Sequence, residues 1–175
     1  MDISAHQTTS QVQRYGYGET TLGAVLVAES ERGVAAIFLG DDRARLLRDL
    51  NAAFPSASLT EDQAGLSASV AKAVAMIDAP GSQTDLNLDP QGSPLELAVW
   101  TVLRAIPAGE TRTYGAIAKA LPFAATAQEV GAACAANRIA VAIPYHRVVK
   151  ADGSISGYRW GVHRKRRLIN LEGVA

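Results

Sequence analysis

The sequence predicts an α+β fold in two parts: a small antiparallel sheet with helices, then a mainly helical half. Three observations predict it. Runs of β-branched and aliphatic residues with strand character are confined to the stretch Tyr15 to Leu39. Capped segments with helical apolar spacing dominate the rest. Between the halves, Asp78 to Gly92 is rich in Pro, Gly, Asp and Ser and reads as a linker. The chain is therefore divided into residues 1–92, with the linker from about 78, and residues 93–175.

Residues 1–14 are polar and read as a frayed lead. Ala24-Val25-Leu26-Val27, a polar turn at Glu29 to Gly33, and Val34 to Leu39 make an antiparallel hairpin. Asp41 and Asp42 stand as caps before a helix over Arg43 to Ala53, with Leu46, Leu47 and Leu50 as its apolar stripe. A second helix is expected over Gly65 to Ile77. The second half opens on Ser93, a good N-cap, with Pro94 at the first helical position and Glu96 three residues after the cap. Leu95, Val99, Val102 and Ile106 supply its buried face, and Pro107-Ala108-Gly109 ends it. Thr113 caps a short helix over Tyr114 to Ala120, Pro122-Phe123 breaks the chain, and Thr126 caps a helix of small residues through Ala136. Two short helices joined by a tight turn form a helix-turn-helix candidate. Ile139 to Ile143, a Gly/Ser loop and a basic helix over Val162 to Leu171 complete the chain.

The formal charge is zero over 175 residues, with 17 basic and 17 acidic side chains, but the halves differ. Residues 1–93 hold 6 Lys and Arg against 12 Asp and Glu, a net of −6; residues 94–175 hold 11 against 5, a net of +6. Such an asymmetry suggests that the second half meets a polyanion, nucleic acid being the commonest. Arg164-Lys165-Arg166-Arg167 reads either as part of that surface or as a solvated helix face. No apolar stretch reaches the roughly 20 residues of a membrane span, and Met1-Asp2-Ile3-Ser4-Ala5-His6 lacks the basic and apolar regions of a signal peptide. The single cysteine, Cys134, excludes an internal disulfide and fits a reducing cytoplasm. His6, His146 and His163 show no ligand spacing, so no metal is expected, nor any cofactor.

Chemistry concentrates near the C-terminal end, in Ile143-Pro144-Tyr145-His146-Arg147-Val148-Val149 and Ser156-Gly157-Tyr158-Arg159-Trp160-Gly161. With Gly109-Glu110-Thr111, Tyr114, Ala118 and Cys134-Ala135-Ala136-Asn137, these runs fall in the order and spacing of the O6-alkylguanine-DNA alkyltransferases. The chain resembles that family over most of its length, and most closely the C-terminal half of the bacterial Ada-type proteins. The resemblance implies a mainly helical, winged-helix-like DNA-binding and alkyl-pocket domain behind a structural N-terminal domain. Its first departure is Tyr145, which stands where the family keeps its reactive cysteine. A thiolate is a soft nucleophile that a neighbouring histidine activates, whereas a phenol has a reference pKa of about 10 and attacks saturated carbon poorly.

What the resemblance implies for single residues follows the family's base-flipping chemistry. His146 and Glu172 match the base and its orienting carboxylate, so the catalytic positions are Tyr145, His146 and Glu172. Tyr114 matches the tyrosine that offers its hydroxyl to the flipped base, and Tyr158 the lid tyrosine beside the alkyl group. Asn137 matches the hinge asparagine that supports the signature turn. On the second helix of the helix-turn-helix, small Ala127 and Gly131 would approach the minor groove. Gln128 stands where the family places an arginine in the vacated stack, and Glu129 beside it would repel phosphate. Arg147, Val148 and Arg159 complete the implied DNA- and base-contacting set. Cys134 reads as a small buried hydrophobe.

The expected function is recognition of O6-alkylguanine in double-stranded DNA by minor-groove binding and base flipping, without alkyl transfer, by a cytoplasmic monomer that passes the lesion to downstream repair proteins. Two alternatives stand beside it. One is a DNA-repair methyltransferase inactivated at position 145; the other is an enzyme acting on a small alkylated or electrophilic molecule through Tyr145, His146 and Glu172. Whether the chain is an enzyme stays open. The first reading requires the Tyr145 ring to face a cavity bounded by Tyr114 and Tyr158.

Overall fold

The computed structural model describes residues 11–82 and 84–173. Of the polar lead, residues 1–10, which include His6, lie outside the described residues, while Val12 to Arg14 already belong to the first strand. That strand, β1 (Val12–Thr20), pairs antiparallel with β2 (Gly23–Ser30), which pairs antiparallel with β3 (Val34–Gly40). A two-residue β4 (Thr60–Glu61) adds to the other edge of β1, in parallel, giving the order β3-β2-β1-β4. The α+β class holds, with one correction: the sheet is not wholly antiparallel. Exposed Thr60 and Glu61 carry no apolar alternation to mark them as a strand.

Burial is continuous from Ala24 to Ala28 and from Val34 to Leu39, so both faces of β2 and β3 are covered. Helix α1 (Arg43–Ala53) packs on β2 and β3 through Leu46 and Leu50, its first turn capped by Asp42, whose Oδ1 accepts from Ala44 N at 3.0 Å. Helix α2 (Ser67–Asp78) lies on β1 and β2. It sits so close that a Cβ at Gly18 would stand 2.8 Å from Val70 Cγ1, which is why that strand position is glycine.

The segment read as a free linker is docked instead. Val34 N donates to Asn87 O at 2.8 Å and Asp89 N to Val34 O at 2.8 Å, so residues 87–89 run alongside β3. The second half holds the same strand: Ile37 N donates to Arg138 O at 2.9 Å and Ala140 N to Ile37 O at 3.0 Å. One apolar core consequently runs through both halves.

In that second half, α3 (Pro94–Arg104) begins with the expected Ser93–Glu96 capping box. Its buried face is wider than the single stripe read from the sequence and includes Trp100 and Leu103. Helices α4 (Tyr114–Ala120) and α5 (Ala127–Ala135) both lean on α3, and Trp100 Nε1 donates to Ala133 O at 2.9 Å. Helix α4, the turn at 121–126 and α5 form the helix-turn-helix. Two short strands, β5 (Arg112–Thr113) and β6 (Val148–Val149), pair in parallel and bring the start of α4 to the signature run. Helix α6 (Val162–Leu171) closes the fold from Gly161, whose φ of 103° is a left-handed conformation that favours glycine. Among the described residues no helix is long and apolar enough to cross a membrane.

A closed tyrosine cluster at the candidate functional site

The signature run follows a tight turn that Asn137 holds together. Its side chain accepts from Ile139 N at 2.9 Å and donates to the carbonyls of Ile143 at 3.0 Å and Ile139 at 3.3 Å. Inside that turn Val141 takes a φ of 67°, unfavourable for a β-branched residue. The buried amide is therefore what keeps a strained backbone in place. Replacing Asn137 with Ala is expected to cost about 2 kcal/mol, because the buried Ile139 N–H loses its partner, while the Ile139 and Ile143 carbonyls keep only their backbone donors. Urea unfolding monitored by circular dichroism reads this directly.

After the turn, a single 3-10 turn (Tyr145–Arg147) points successive side chains in different directions. Tyr145 goes inward, 5% exposed, between two other tyrosines. Its ring centroid lies 6.4 Å from that of Tyr114 and 5.8 Å from that of Tyr158. The hydroxyls of Tyr145 and Tyr114 are 2.8 Å apart, and the Tyr114 hydroxyl is 2.5 Å from Ser156 Oγ. Lys165 Nζ donates to Ser156 Oγ at 2.9 Å and lies 4.6 Å from the centre of the Tyr145 ring. The chain of polar contacts thus runs Lys165, Ser156, Tyr114, Tyr145.

The three tyrosines meet, with the Tyr145 ring packed between the other two. Tyr158 borders a cleft of about 560 Å³ shared with Asp49 of α1, Arg159 and Trp160. Burial, followed by the bond with Tyr114, pushes the Tyr145 phenol well above its usual range, so it stays protonated.

His146 turns away from Tyr145. It is fully buried, with Nε2 3.1 Å from Glu172 Oε2, a close polar contact set off the N–H line rather than a linear hydrogen bond. Burial lowers its pKa against the pull of Glu172, so the ring is neutral. Glu172 at the end of α6 has a fully buried side chain that also takes Arg147. Burial alone would raise its carboxyl; the contact with His146 and the bonds from Arg147 outweigh this and hold it at about 2. No hydrogen bond joins Tyr145 to His146 among the described residues. Tyr145, His146 and Glu172 are neighbours without forming one acid–base relay.

Three of the contact residues expected from the sequence are engaged elsewhere. The Arg147 guanidinium is taken up by Glu172 and by Ile106 O at 2.7 Å. Val148 is fully buried in β6. Arg159 donates to Asn137 O at 3.1 Å and lies 5.1 Å over the Phe38 ring. By contrast Ala127 and Gln128 are exposed on the first turn of α5. Glu129 completes a capping box there, its carboxylate accepting from Thr126 N at 2.9 Å, a duty the sequence reading did not assign. At Gly131 a Cβ would meet nothing nearer than Tyr114 Cε1 at 3.8 Å, so packing inside the protein does not demand glycine.

Sequence reasoning also missed the interior of the basic run. Lys165 is fully buried and Arg164 nearly so, the latter clamping Leu22 O at 2.7 Å, Trp160 O at 2.9 Å and Asp41 at 2.6 Å. The signal was there in the spacing: Arg164, Lys165, Leu168 and Ile169 share one face of α6. No group of three or more His, Cys, Asp or Glu side chains able to hold a metal occurs among the described residues.

Residues 94–174, which carry the helix-turn-helix and the tyrosine cluster, match the DNA-binding domain of the 6-O-methylguanine DNA methyltransferase family. Over 159 residues the chain is 43% identical to the bifunctional transcriptional activator/DNA repair enzyme Ada of Escherichia coli, covering 91% of this chain and 45% of that protein. The chain thus spans about half the length of that relative. It is 40% identical over 121 residues to the methylated-DNA–protein-cysteine methyltransferase of Candida albicans, covering 69% of this chain and 68% of that protein. The fold aligns with OGT of Mycobacterium tuberculosis in complex with DNA at a TM-score of 0.75 and 31% identity, over 91% of this chain and 92% of that one. It aligns with the O6-methylguanine-DNA methyltransferase of Pyrococcus kodakaraensis at 0.71 and 25% identity, over 92% and 99%. A shared fold, a family model matched over residues 94–174 and 40% identity over 68% of a methyltransferase's length lead to one conclusion: the chain belongs to the O6-methylguanine-DNA methyltransferase family.

Proposed function

We propose that this chain recognises O6-alkylguanine in duplex DNA and leaves the alkyl group where it is. The observation that carries the reading is the phenol of Tyr145, buried and protonated at the heart of the site. The relatives are named for a protein cysteine that takes up the methyl group. The one cysteine here, Cys134, is buried on α5, and burial pushes its thiol up to about 12. It offers no thiolate. A flipped base then has to displace the Tyr145 ring and take over its bond with Tyr114, so recognition is an induced fit.

The face of α5 fits a minor-groove role. Ala127 and Gln128 stand exposed, and glycine at 131 leaves room that nothing within the protein requires. We assign the protein to the cytoplasm as a monomer, with downstream repair proteins acting on the marked lesion. Residues 93–175 serve as the DNA-binding domain in this reading.

Binding curves on otherwise identical duplexes, with and without O6-methylguanine and at several salt concentrations, test it. About tenfold tighter binding to the lesion is expected, with no methyl gain in the protein's mass. The Gln128→Arg variant is expected to bind about tenfold tighter still, with a steeper salt dependence, because a guanidinium adds charge and a stacking plane. Equal binding to both duplexes overturns the reading.

A further inference from the structure

We infer that Lys165 is an amine nucleophile for aldehydes, forming an imine with a carbonyl group brought to the tyrosine cluster. The inference goes beyond alkylguanine recognition and does not depend on it. Its ground is the setting of the amine. Lys165 is fully buried, and no carboxylate pairs with it among the described residues. Its surroundings are the Ser156 hydroxyl at 2.9 Å, the Tyr145 ring at 4.6 Å, the Tyr158 ring at 6.0 Å and, electrostatically, the protonated Cys134 thiol. Burial without a counter-charge lowers the ammonium to about 8, so a usable fraction carries a free lone pair near neutral pH.

The electrophile follows from the donor set. A nitrogen lone pair is harder than a thiolate and prefers a carbonyl carbon to a saturated one. Imine formation also needs proton transfer at the oxygen, and the hydroxyls of Ser156, Tyr114 and Tyr145 stand in one connected chain beside the amine. Nζ adds to the carbonyl carbon, and the C=O π pair moves to oxygen, which takes a proton from that chain. The nitrogen returns a proton to the chain through Ser156. The carbinolamine C–O bond then breaks, its oxygen leaving as water with a proton from the hydroxyls, the nitrogen lone pair closes the C=N bond, and the iminium so formed returns its N–H proton to the chain through Ser156. The sum is amine plus aldehyde giving imine plus water, with the hydroxyls unchanged. Access runs past Tyr158. Its hydroxyl has no hydrogen-bond partner, and a Cβ at the preceding Gly157 would meet nothing within 4 Å, so the lid lifts without breaking a polar bond of its own.

An aldehyde has two sources for a DNA-binding chain: the ring-opened deoxyribose of an abasic site, or a free small molecule. The unaltered protein is incubated at neutral pH with sodium cyanoborohydride and, in separate arms, a duplex containing one abasic site, the same duplex intact, and propionaldehyde. Intact mass and peptide mapping follow. The expected result is a reduced adduct on Lys165, formed roughly tenfold ahead of Lys72, Lys119 and Lys150, with none from the intact duplex. Labelling by the abasic duplex identifies DNA as the source, and labelling by propionaldehyde alone identifies a small molecule. Adducts spread evenly over the four lysines, or none on Lys165 in either aldehyde arm, overturn the inference. Lys165→Arg is expected to lose the adduct; should that variant fail to fold, the peptide map of the unaltered protein still decides.

Discussion

A Tyr145→Cys variant incubated with a duplex carrying O6-methylguanine is expected to gain about one methyl group per molecule, where the unaltered chain gains none. The substitution removes the ring that fills the site and puts a soft nucleophile at the turn that Asn137 holds in shape. The neutral His146 and its contact with Glu172 already stand next to that turn, and the Lys165 ammonium lies close enough to favour a thiolate. Emptying a buried aromatic site costs about 2–4 kcal/mol, so circular dichroism accompanies the mass measurement. A variant that folds and binds the lesion duplex yet takes up no methyl group would mean that the loss of activity lies deeper than one side chain.

The second large effect concerns Glu172. Replacing it with Gln is expected to destabilise the protein by about 3–5 kcal/mol, because the Arg147 cation then stays buried without its counter-charge. For a chain of this size that lowers Tm by roughly 10 °C. The pH dependence gives an independent check. Glu172 has a folded pKa of about 2, below its reference value of 4.5, so its contribution is complete above that reference and disappears as pH falls towards 2. His146 acts in the same direction: burial holds it below 6.5, so the unfolded chain binds its proton first and stability drops as pH falls below that value. The native protein should lose stability steadily on acidification, while Glu172→Gln should show a shallower decline in the carboxylate range. Urea midpoints across that range distinguish the two, and parallel slopes would mean that Glu172 is not the group responsible.

Elements governed by neighbours in sequence were legible before any coordinates. The caps at Asp42, Ser93 and Thr126 and the stripe of Leu46 and Leu50 placed three helices, since capping and apolar spacing act within a few residues. Asn137 was likewise anticipated as the support of the signature turn. What stayed hidden was decided across long separations. The basic run read as a surface because four successive cations usually are one, yet Arg164 meets Leu22 and Asp41 far away in the chain, and Lys165 meets Ser156 beneath two rings. Tyr145 was singled out by its place in the signature run, but its packing depends on Tyr114, another element altogether. The docking of residues 87–89 beside β3 joins backbone bonds to Val34 with side-chain bonds from Asn87 to Arg32 O and from Ser30 to Asp89, pairings more than fifty residues apart for which local composition gives no sign.

The Arg164 clamp has a mechanical consequence. One guanidinium grips the tip between the first two strands, the aspartate before α1 and the carbonyl of Trp160, two residues past the lid tyrosine. Any load that bends the sheet is therefore felt at the mouth of the site. The acidic half, which carries no group of the tyrosine cluster, is thereby tied to the segment that follows the lid tyrosine.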